Sequence, residues 1–256
     1  IAEGLNLTQT AQVIAQAGLA DVKTVAALVR DPGFINEFGL HAKTLEGYLF
    51  PDTYFFKRGA NIRAMLAMMV RRTGRVFAEE CRRQTHAGLD IDCGLLGPQQ
   101  HFVNYPTIPS PAGRHKRLLR LSAGQALILA SMVEKETGNV VERPVIAQVF
   151  LSRLRRHMRL QSDPTVMYGL QKFDRPLSRR DLKTPSPYNT YTLPALPAGP
   201  ICSPGRAAIA AVMQPAGTNY YYFVAQGNGR HIFSQTLAAH NRAVRKYRRI
   251  RALKAD

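Results

Sequence analysis

An α+β fold follows from three features of this 256-residue chain. It is mainly helical in its N-terminal and central parts, with a small antiparallel β region and a terminal helix at the C-terminus. Apolar residues recur at helical spacing before about residue 160. Near the C-terminus, "NYYYFVAQGNGRHIFSQT" has the form of two short strands about a turn at "QGNG". Between the periodic stretches, prolines and glycines crowd together. The length is enough for a real core, and an apolar content of 45% with 20% charged residues is ordinary for a globular protein.

Residues 8–30 read as helical. In "TQTAQVIAQAGL", Ala11, Ile14, Ala15 and Leu19 fall at helical spacing and Gly18 ends the run. "DVKTVAALVRDPGF" is a second short helix, stopped by Pro32 and Gly33. Residues 45–56, "LEGYLFPDTYFF", are aromatic-rich and broken by Gly47 and Pro51, which predicts a turn with strand-like flanks. Helical spacing returns over 62–84, with Met65, Met68, Met69 and Val76 on or near one face as core. It vanishes over 85–117, which reads as a long loop or insertion. Ser122 is a good N-cap for "AGQALILASMVEKETG". "ERPVIAQVFLSRLRRHM" follows, with Pro144 in its first turn and Val145, Val149 and Leu154 on its core stripe. Proline-rich chain fills 160–204. "GRAAIAAVMQP" is a short helix, and "LAAHNRAVRKYRRIRALK" closes the chain as a helix with a basic face.

The charge is not ordinary. Thirty-five Lys and Arg against 17 Asp and Glu give +18, a surface that attracts nucleic acid, anionic lipid or an acidic wall polymer. Of the three cysteines, Cys81 and Cys93 are close enough to pair in an oxidising compartment, and three unpaired thiols are the alternative. No stretch reaches the roughly 18 apolar residues of a membrane span. P-loop, GxGxxG, GxSxG and HExxH patterns are absent, and the seven histidines are scattered without metal-ligand spacing. No cofactor and no metal is expected.

Attention therefore falls on "ALILASMVEKETG", an apolar helix that ends in two glutamates. Glu134 and Glu136 lie about 200° apart around the helix and cannot act as one dyad. Glu136 continues the stripe of Leu129, Met132 and Val133 into the last turn. The negative end of the helix dipole and desolvation both favour its protonated form there. A carboxyl that keeps its proton near neutral pH is what a general acid for glycosidic cleavage needs. A capping or salt-bridged carboxylate is the competing explanation.

"ASMVEKETG" with "ERPVIAQVFLSRLRRHMRLQSDPTVMYGL" closely resembles the YceG-like (MltG) endolytic murein transglycosylases. The resemblance continues through "LSRRDLKTPSPYNTYTLPALPAGPICSPG", "YYYFVAQGNGRHIFSQTLAAHN", "LEGYLFPDTYFF" and the opening "IAEGLNLTQTAQVIAQAGL". It covers nearly the whole chain except about 57–120 and implies one catalytic domain over 1–256. It implies cleavage of the bond between N-acetylmuramic acid and N-acetylglucosamine, with 1,6-anhydro ends and the second glutamate of Glu-Lys-Glu-Thr, Glu136, as the acid. Gln161, Ser162, Asp163 and Thr165 become candidates for hydrogen bonds to sugar, with turn chemistry at "SDP" as the alternative. Tyr188, Asn189 and Tyr191 suit stacking on sugar faces, with loop packing as the alternative. Glu46 is placed near the site and Asp52 along the cleft. His231, Ser234, His240 and Asn241 either fix the C-terminal hairpin and helix or touch the glycan, with the structural role favoured for the histidines.

The expected partners are peptidoglycan glycan strands and, by family, peptidoglycan synthases. The resemblance also implies an N-terminal membrane helix and a LysM-like region that this sequence lacks. With them comes a single-pass inner-membrane location, the catalytic domain facing the periplasm. Ala195 and Ala198 in "ALPAGPI" depart from the family's usual glycine and proline, which bears on loop geometry. Two other readings compete. The runs "RHKR" and "RKYRRIR" suggest nucleic-acid binding, but no recognition motif accompanies them, and no nucleic acid is expected. A catalytically silent glycan-binding scaffold is the other, and Glu136 argues against it.

Overall fold

The computed structural model describes residues 1–57, 59–84, 89–97, 107–108 and 118–252. Three short helices open the chain, α1 (Leu7–Gln16), α2 (Val22–Leu28) and α3 (Pro32–Asn36), followed by the long α4 (Ile62–Arg82). Each begins on a side-chain cap. Asn6, Asp21, Asp31 and Asn61 accept a hydrogen bond from a first-turn N–H that has no partner within its helix. Gly18 follows α1 at φ +69°, the left-handed stop that its position predicts. Pro32 does more than stop α2. It is the first residue of α3, where its missing N–H costs no hydrogen bond.

The strand-like flanks expected at 45–56 are not strands; this segment runs as turns and irregular chain. Leu45, Tyr48, Leu49 and Phe50 are buried in near-continuous sequence rather than alternately, so no sheet face forms. Gly47 sits at φ +82° against Pro200. The "EGY" and "GPI" elements, more than 150 residues apart, therefore pack on each other. In α4, Met65, Met69 and Val76 are in the core, whereas Met68 lies off that stripe and is 48% exposed.

The segment 85–117 is not wholly loop. It supplies β1 (Leu89–Ile91) and β2 (Thr107–Ile108), which flank β3 (Leu118–Leu121) in the order β1-β3-β2. β1 runs parallel to β3 with Leu89 opposite Leu119, and β2 runs antiparallel. Strands this short leave too few alternations for a period of two to show. The rest of that reading, over 85–88, 98–106 and 109–117, lies outside the described residues. Cys81 and Cys93 form a disulfide that ties the end of α4 to the chain after β1, and Cys202 is a buried free thiol.

The centre of the molecule is α5 (Ala123–Glu136), opened by a capping box between Ser122 and Gln125. Every residue from Ala123 to Val133 is buried. It packs against α6 (Arg143–Arg155) and α8 (Arg206–Met213), which also pack on each other, while α4 covers α8 from outside. Each large apolar side chain enclosed here contributes about 1.5–3 kcal/mol. Between α6 and α8 come α7 (Asp163–Leu170), a 3₁₀ turn at Asp181–Lys183 and long loops. The predicted hairpin is present as β4 (Tyr222–Ala225) and β5 (His231–Ser234), with Phe223 opposite Phe233. The terminal helix α9 (Leu237–Ala252) packs on it. Among the described residues no helix is long and apolar enough to cross a membrane.

A β-carbon at Gly47 would lie 2.4 Å from a Pro200 carbon, whereas one at Gly18 would meet nothing within 4 Å. Both glycines have positive φ. Gly47→Ala is therefore expected to cost about 2–4 kcal/mol, from backbone strain plus overpacking, and Gly18→Ala only the strain share of about 1 kcal/mol. Urea denaturation of both variants checks this; equal losses would remove the Pro200 contact as a cause.

Candidate active site

The two glutamates at the end of α5 meet opposite surroundings. Glu134 is consumed by structure. Its Oε1 accepts a 2.6 Å bond from Arg143 Nη2, in an ion pair whose two side chains are each 5% exposed. Its Oε2 accepts the N–H of Gly205, the N-cap of α8. One carboxylate thus joins α5, α6 and α8. Desolvation raises the Glu134 pKa, and the Gly205 bond and Arg143 oppose that rise.

Among the described residues Glu136 has no hydrogen-bonded cation. It is half-buried, and the Ser162 hydroxyl donates to its Oε1 at 2.5 Å. Burial pushes its carboxyl up to about 7. The Ser162 bond opposes the rise, Asp163 adds to it, and Arg153 opposes it from a distance. Ser162 stands at the N-cap of α7, where a serine normally turns its oxygen to the helix's own N–H groups. It makes no such bond here. Preceding it, Gln161 holds φ +49°, a left-handed conformation that costs a non-glycine residue about 1–2 kcal/mol.

Three sets of bonds hold this turn. The Gln161 N–H reaches the Thr190 carbonyl at 3.1 Å, and the Ser162 N–H reaches Thr190 Oγ1 at 2.9 Å. Thr165 Oγ1 donates to the Ser162 carbonyl at 2.7 Å and lies 2.8 Å from Thr190 Oγ1. From the other side comes Arg153 of α6, itself buried. Its Nη1 donates to the Leu160 carbonyl at 2.6 Å, its Nε donates to the Tyr221 carbonyl at 2.7 Å, and its guanidinium lies 5.5 Å from the Tyr222 ring centre. Tyr222 in turn stacks with His240 of α9. The hairpin and terminal helix are thereby tied to the turn that carries Ser162.

The 188–191 loop completes the arrangement. The Tyr191 hydroxyl donates to Asp163 Oδ1 at 2.6 Å. Asn189 is fully buried and donates its amide to the carbonyls of Leu182 and Thr184, at 3.1 and 2.7 Å. Tyr188 packs on Tyr168 with ring centres 4.8 Å apart. Tyr168 then donates to Glu46 Oε2 at 2.8 Å. Glu46 is also buried, accepts the first N–H of α1 from Leu7, and leaves Oε1 without a partner. Burial pushes its carboxyl up to about 7 as well. Among the described residues no group of three or more His, Cys, Asp or Glu could share a metal ion.

The family model described as "YceG-like family" matches residues 1–246. The chain belongs to the YceG-like family. It is 32% identical over 262 residues to an endolytic murein transglycosylase of Bacillus subtilis, covering 96% of this chain and 64% of that protein. It is 29% identical over 274 residues to one of Streptococcus pneumoniae, covering 96% and 44%. The chain therefore spans less than two thirds of the length of these relatives. A crystal structure of a YceG-like protein from Listeria monocytogenes superposes with a TM-score of 0.72 at 29% identity, over 95% of this chain and 74% of that one.

In this YceG-like chain, the sequence-predicted residues separate into two groups. Gln161, Asp163 and Tyr191 keep exposed surface around the turn next to Glu136, and Tyr188 keeps some beside Tyr168, farther along α7. Ser162, Thr165, Asn189 and Glu46 are buried and bonded within the framework behind it. Asp52 pairs with Arg72 at 3.1 Å, and His231 pairs with Glu142 at 2.8 Å across the hairpin and the start of α6. Three contributors escape the sequence reading. Arg153 stands in a run of cations that looks like solvated charge, Thr190 lies between two tyrosines, and Tyr168 sits on a weakly amphipathic helix.

A carboxyl that binds its proton more tightly when folded favours the native state below pH 4.5, and that contribution is lost as pH rises through about 7. Glu136→Gln removes the loss. At pH 8 the variant should gain about 2–3 kcal/mol on the wild type relative to the difference at pH 4. Urea denaturation at the two pH values measures this; a gap independent of pH would contradict a raised Glu136.

Proposed function

We propose that this chain is the catalytic domain of an endolytic peptidoglycan lytic transglycosylase, with Glu136 as its single acid and base. The observation that carries this reading is the contrast on one helix: Glu134 is bound to a cation and a helix cap, while Glu136 is bound, among the described residues, only to a hydroxyl. The names of the Bacillus and Streptococcus relatives support the substrate class.

Protonated Glu136 gives its proton to the glycosidic oxygen as the bond from C1 of N-acetylmuramic acid breaks. The C6 hydroxyl of the same sugar attacks C1 and closes the 1,6-anhydro ring. The Glu136 carboxylate takes the hydroxyl proton and is restored. The Ser162 hydroxyl and the buried Arg153 charge stabilise the carboxylate between the two transfers. Gln161, Asp163, Tyr188 and Tyr191 contact the sugars, and Thr165, Asn189 and Glu46 hold the loops that present them. The disulfide suits an oxidising, extracytoplasmic compartment. There the domain acts on glycan strands beside peptidoglycan synthases, held at the inner membrane by a segment outside this sequence.

Digestion of purified peptidoglycan, read by mass spectrometry, tests the reading. Wild type should release 1,6-anhydro ends, and Glu136→Gln should lose at least a hundredfold in rate. Undiminished release by the variant would move the chemistry to another residue, and no release by wild type would favour the scaffold reading.

The rate should fall as pH rises through about 7, because the first step needs the protonated acid. Ser162→Ala removes a bond that favours the carboxylate. It should move that alkaline limb to higher pH while lowering the maximal rate roughly tenfold or more. A limb that stays in place would mean that Ser162 does not act on Glu136.

A further inference from the structure

A cavity of about 430 Å³ opens at the opposite end of α7 from Glu136, lined by Leu170, Lys172, Arg175, Ser178, Arg180 and Thr184 together with Asp181. Its wall is fixed from within. Asp181 Oδ1 accepts from Lys172 Nζ at 2.5 Å, and its Oδ2 accepts the Ser178 N–H at 3.0 Å and hydroxyl at 2.7 Å. That commits the carboxylate and one of the cations. Arg175 and Arg180 are exposed and have no carboxylate within ion-pair distance among the described residues. A positive concavity with two uncommitted guanidinium groups is left. Planar guanidinium groups match carboxylates in paired hydrogen bonds.

The cavity and the Glu136 site are parts of one piece. The buried Asn189 amide bonds the carbonyls of Leu182 and of Thr184, the latter in the cavity wall, and the same loop carries Tyr188 and Tyr191. Gly169 of α7 lies close against Ser186 and Tyr188, with no room for a side chain. The eight residues of α7 span about 12 Å from Ser162 to the cavity. Peptide stems leave N-acetylmuramic acid through its lactyl group and carry carboxylates. Three extended residues reach about 10 Å, which matches that span.

We infer that this cavity binds a carboxylate of the peptide stem, so that the enzyme cleaves stem-bearing strands in preference to stripped ones. This rests on the transglycosylase reading and deepens it. A free anionic wall polymer would offer phosphates to the same cations, but nothing would hold it in register with the sugar at Glu136.

The test compares stem-bearing glycan strands with strands stripped by an amidase, cut by wild type, by Arg175→Ala/Arg180→Ala, and by Arg245→Ala/Arg248→Ala as a charge control on α9. Wild type should favour stem-bearing strands about tenfold in kcat/KM. The first variant should lose that preference with its rate on stripped strands unchanged, and the control should keep it. Equal wild-type rates on the two substrates, or a preference that survives in Arg175→Ala/Arg180→Ala, would overturn the inference.

Calorimetric titration of a soluble stem tetrapeptide onto Glu136→Gln protein separates this from the parent reading. If wild type cuts neither substrate, the transglycosylase reading fails, and the titration still decides the cavity. Peptide binding that the two arginine substitutions abolish supports the site. No binding, or displacement of the peptide by polyglycerol phosphate at lower concentration, overturns it.

Discussion

The arrangement depends on burying α5 on all sides. A helix enclosed from Ala123 to Val133 leaves its final turn in a medium where a carboxylate is costly. Two glutamates arrive there, and the fold treats them differently. The direction of Glu134 brings it to Arg143 and to the open N-terminus of α8, so its charge is matched and its oxygens are satisfied. The direction of Glu136, more than half a turn away, brings it to a serine. The helical repeat thus assigns one carboxylate to holding three helices together and leaves the other with a partly open surface.

What surrounds Glu136 is built to keep one hydroxyl in place. Gln161 takes a conformation that disfavours a side chain, and the hydrogen bonds to Thr190 on one side and Arg153 on the other oppose its release. Arg153 also fastens to the Tyr221 carbonyl, just before β4, so the C-terminal hairpin contributes to the site without donating a side chain to Glu136. The 160–170 turn and helix, the 186–200 loop and the hairpin are tied to one another through Thr190 and Arg153, and the 45–56 turn is tied to them through Tyr168 and Pro200.

The helices were legible because their signals are local: caps at Asn6 and Ser122, stops at Gly18, an apolar stripe along α4. The different surroundings of Glu134 and Glu136 were legible for the same reason, since helix periodicity points them apart. The central sheet was not, because strands of two to four residues gain their order from β3 rather than from their own pattern. The strand-like flanks of 45–56 misled because buried aromatic chain resembles a strand until Gly47 is seen turning against Pro200. Residue type could propose Asn189 for sugar, but only packing reveals that both amide hydrogens are spent on carbonyls. Arg153 is the reverse case, a cation in a basic run whose burial no sequence pattern announces.

Glu46 shows why a raised pKa alone does not identify a catalytic acid. Its carboxyl is pushed to about 7, as far as that of Glu136. Its position differs in kind. It is 4% exposed, capped on one oxygen by the first N–H of α1 and by Tyr168, and its other oxygen is sealed in protein. Tyr168, itself packed on Tyr188, covers it. Glu136 shares the tuning but has a partly open surface and a partner that is itself only a hydroxyl. Desolvation raises the proton affinity in both places, and the two carboxyls differ in access.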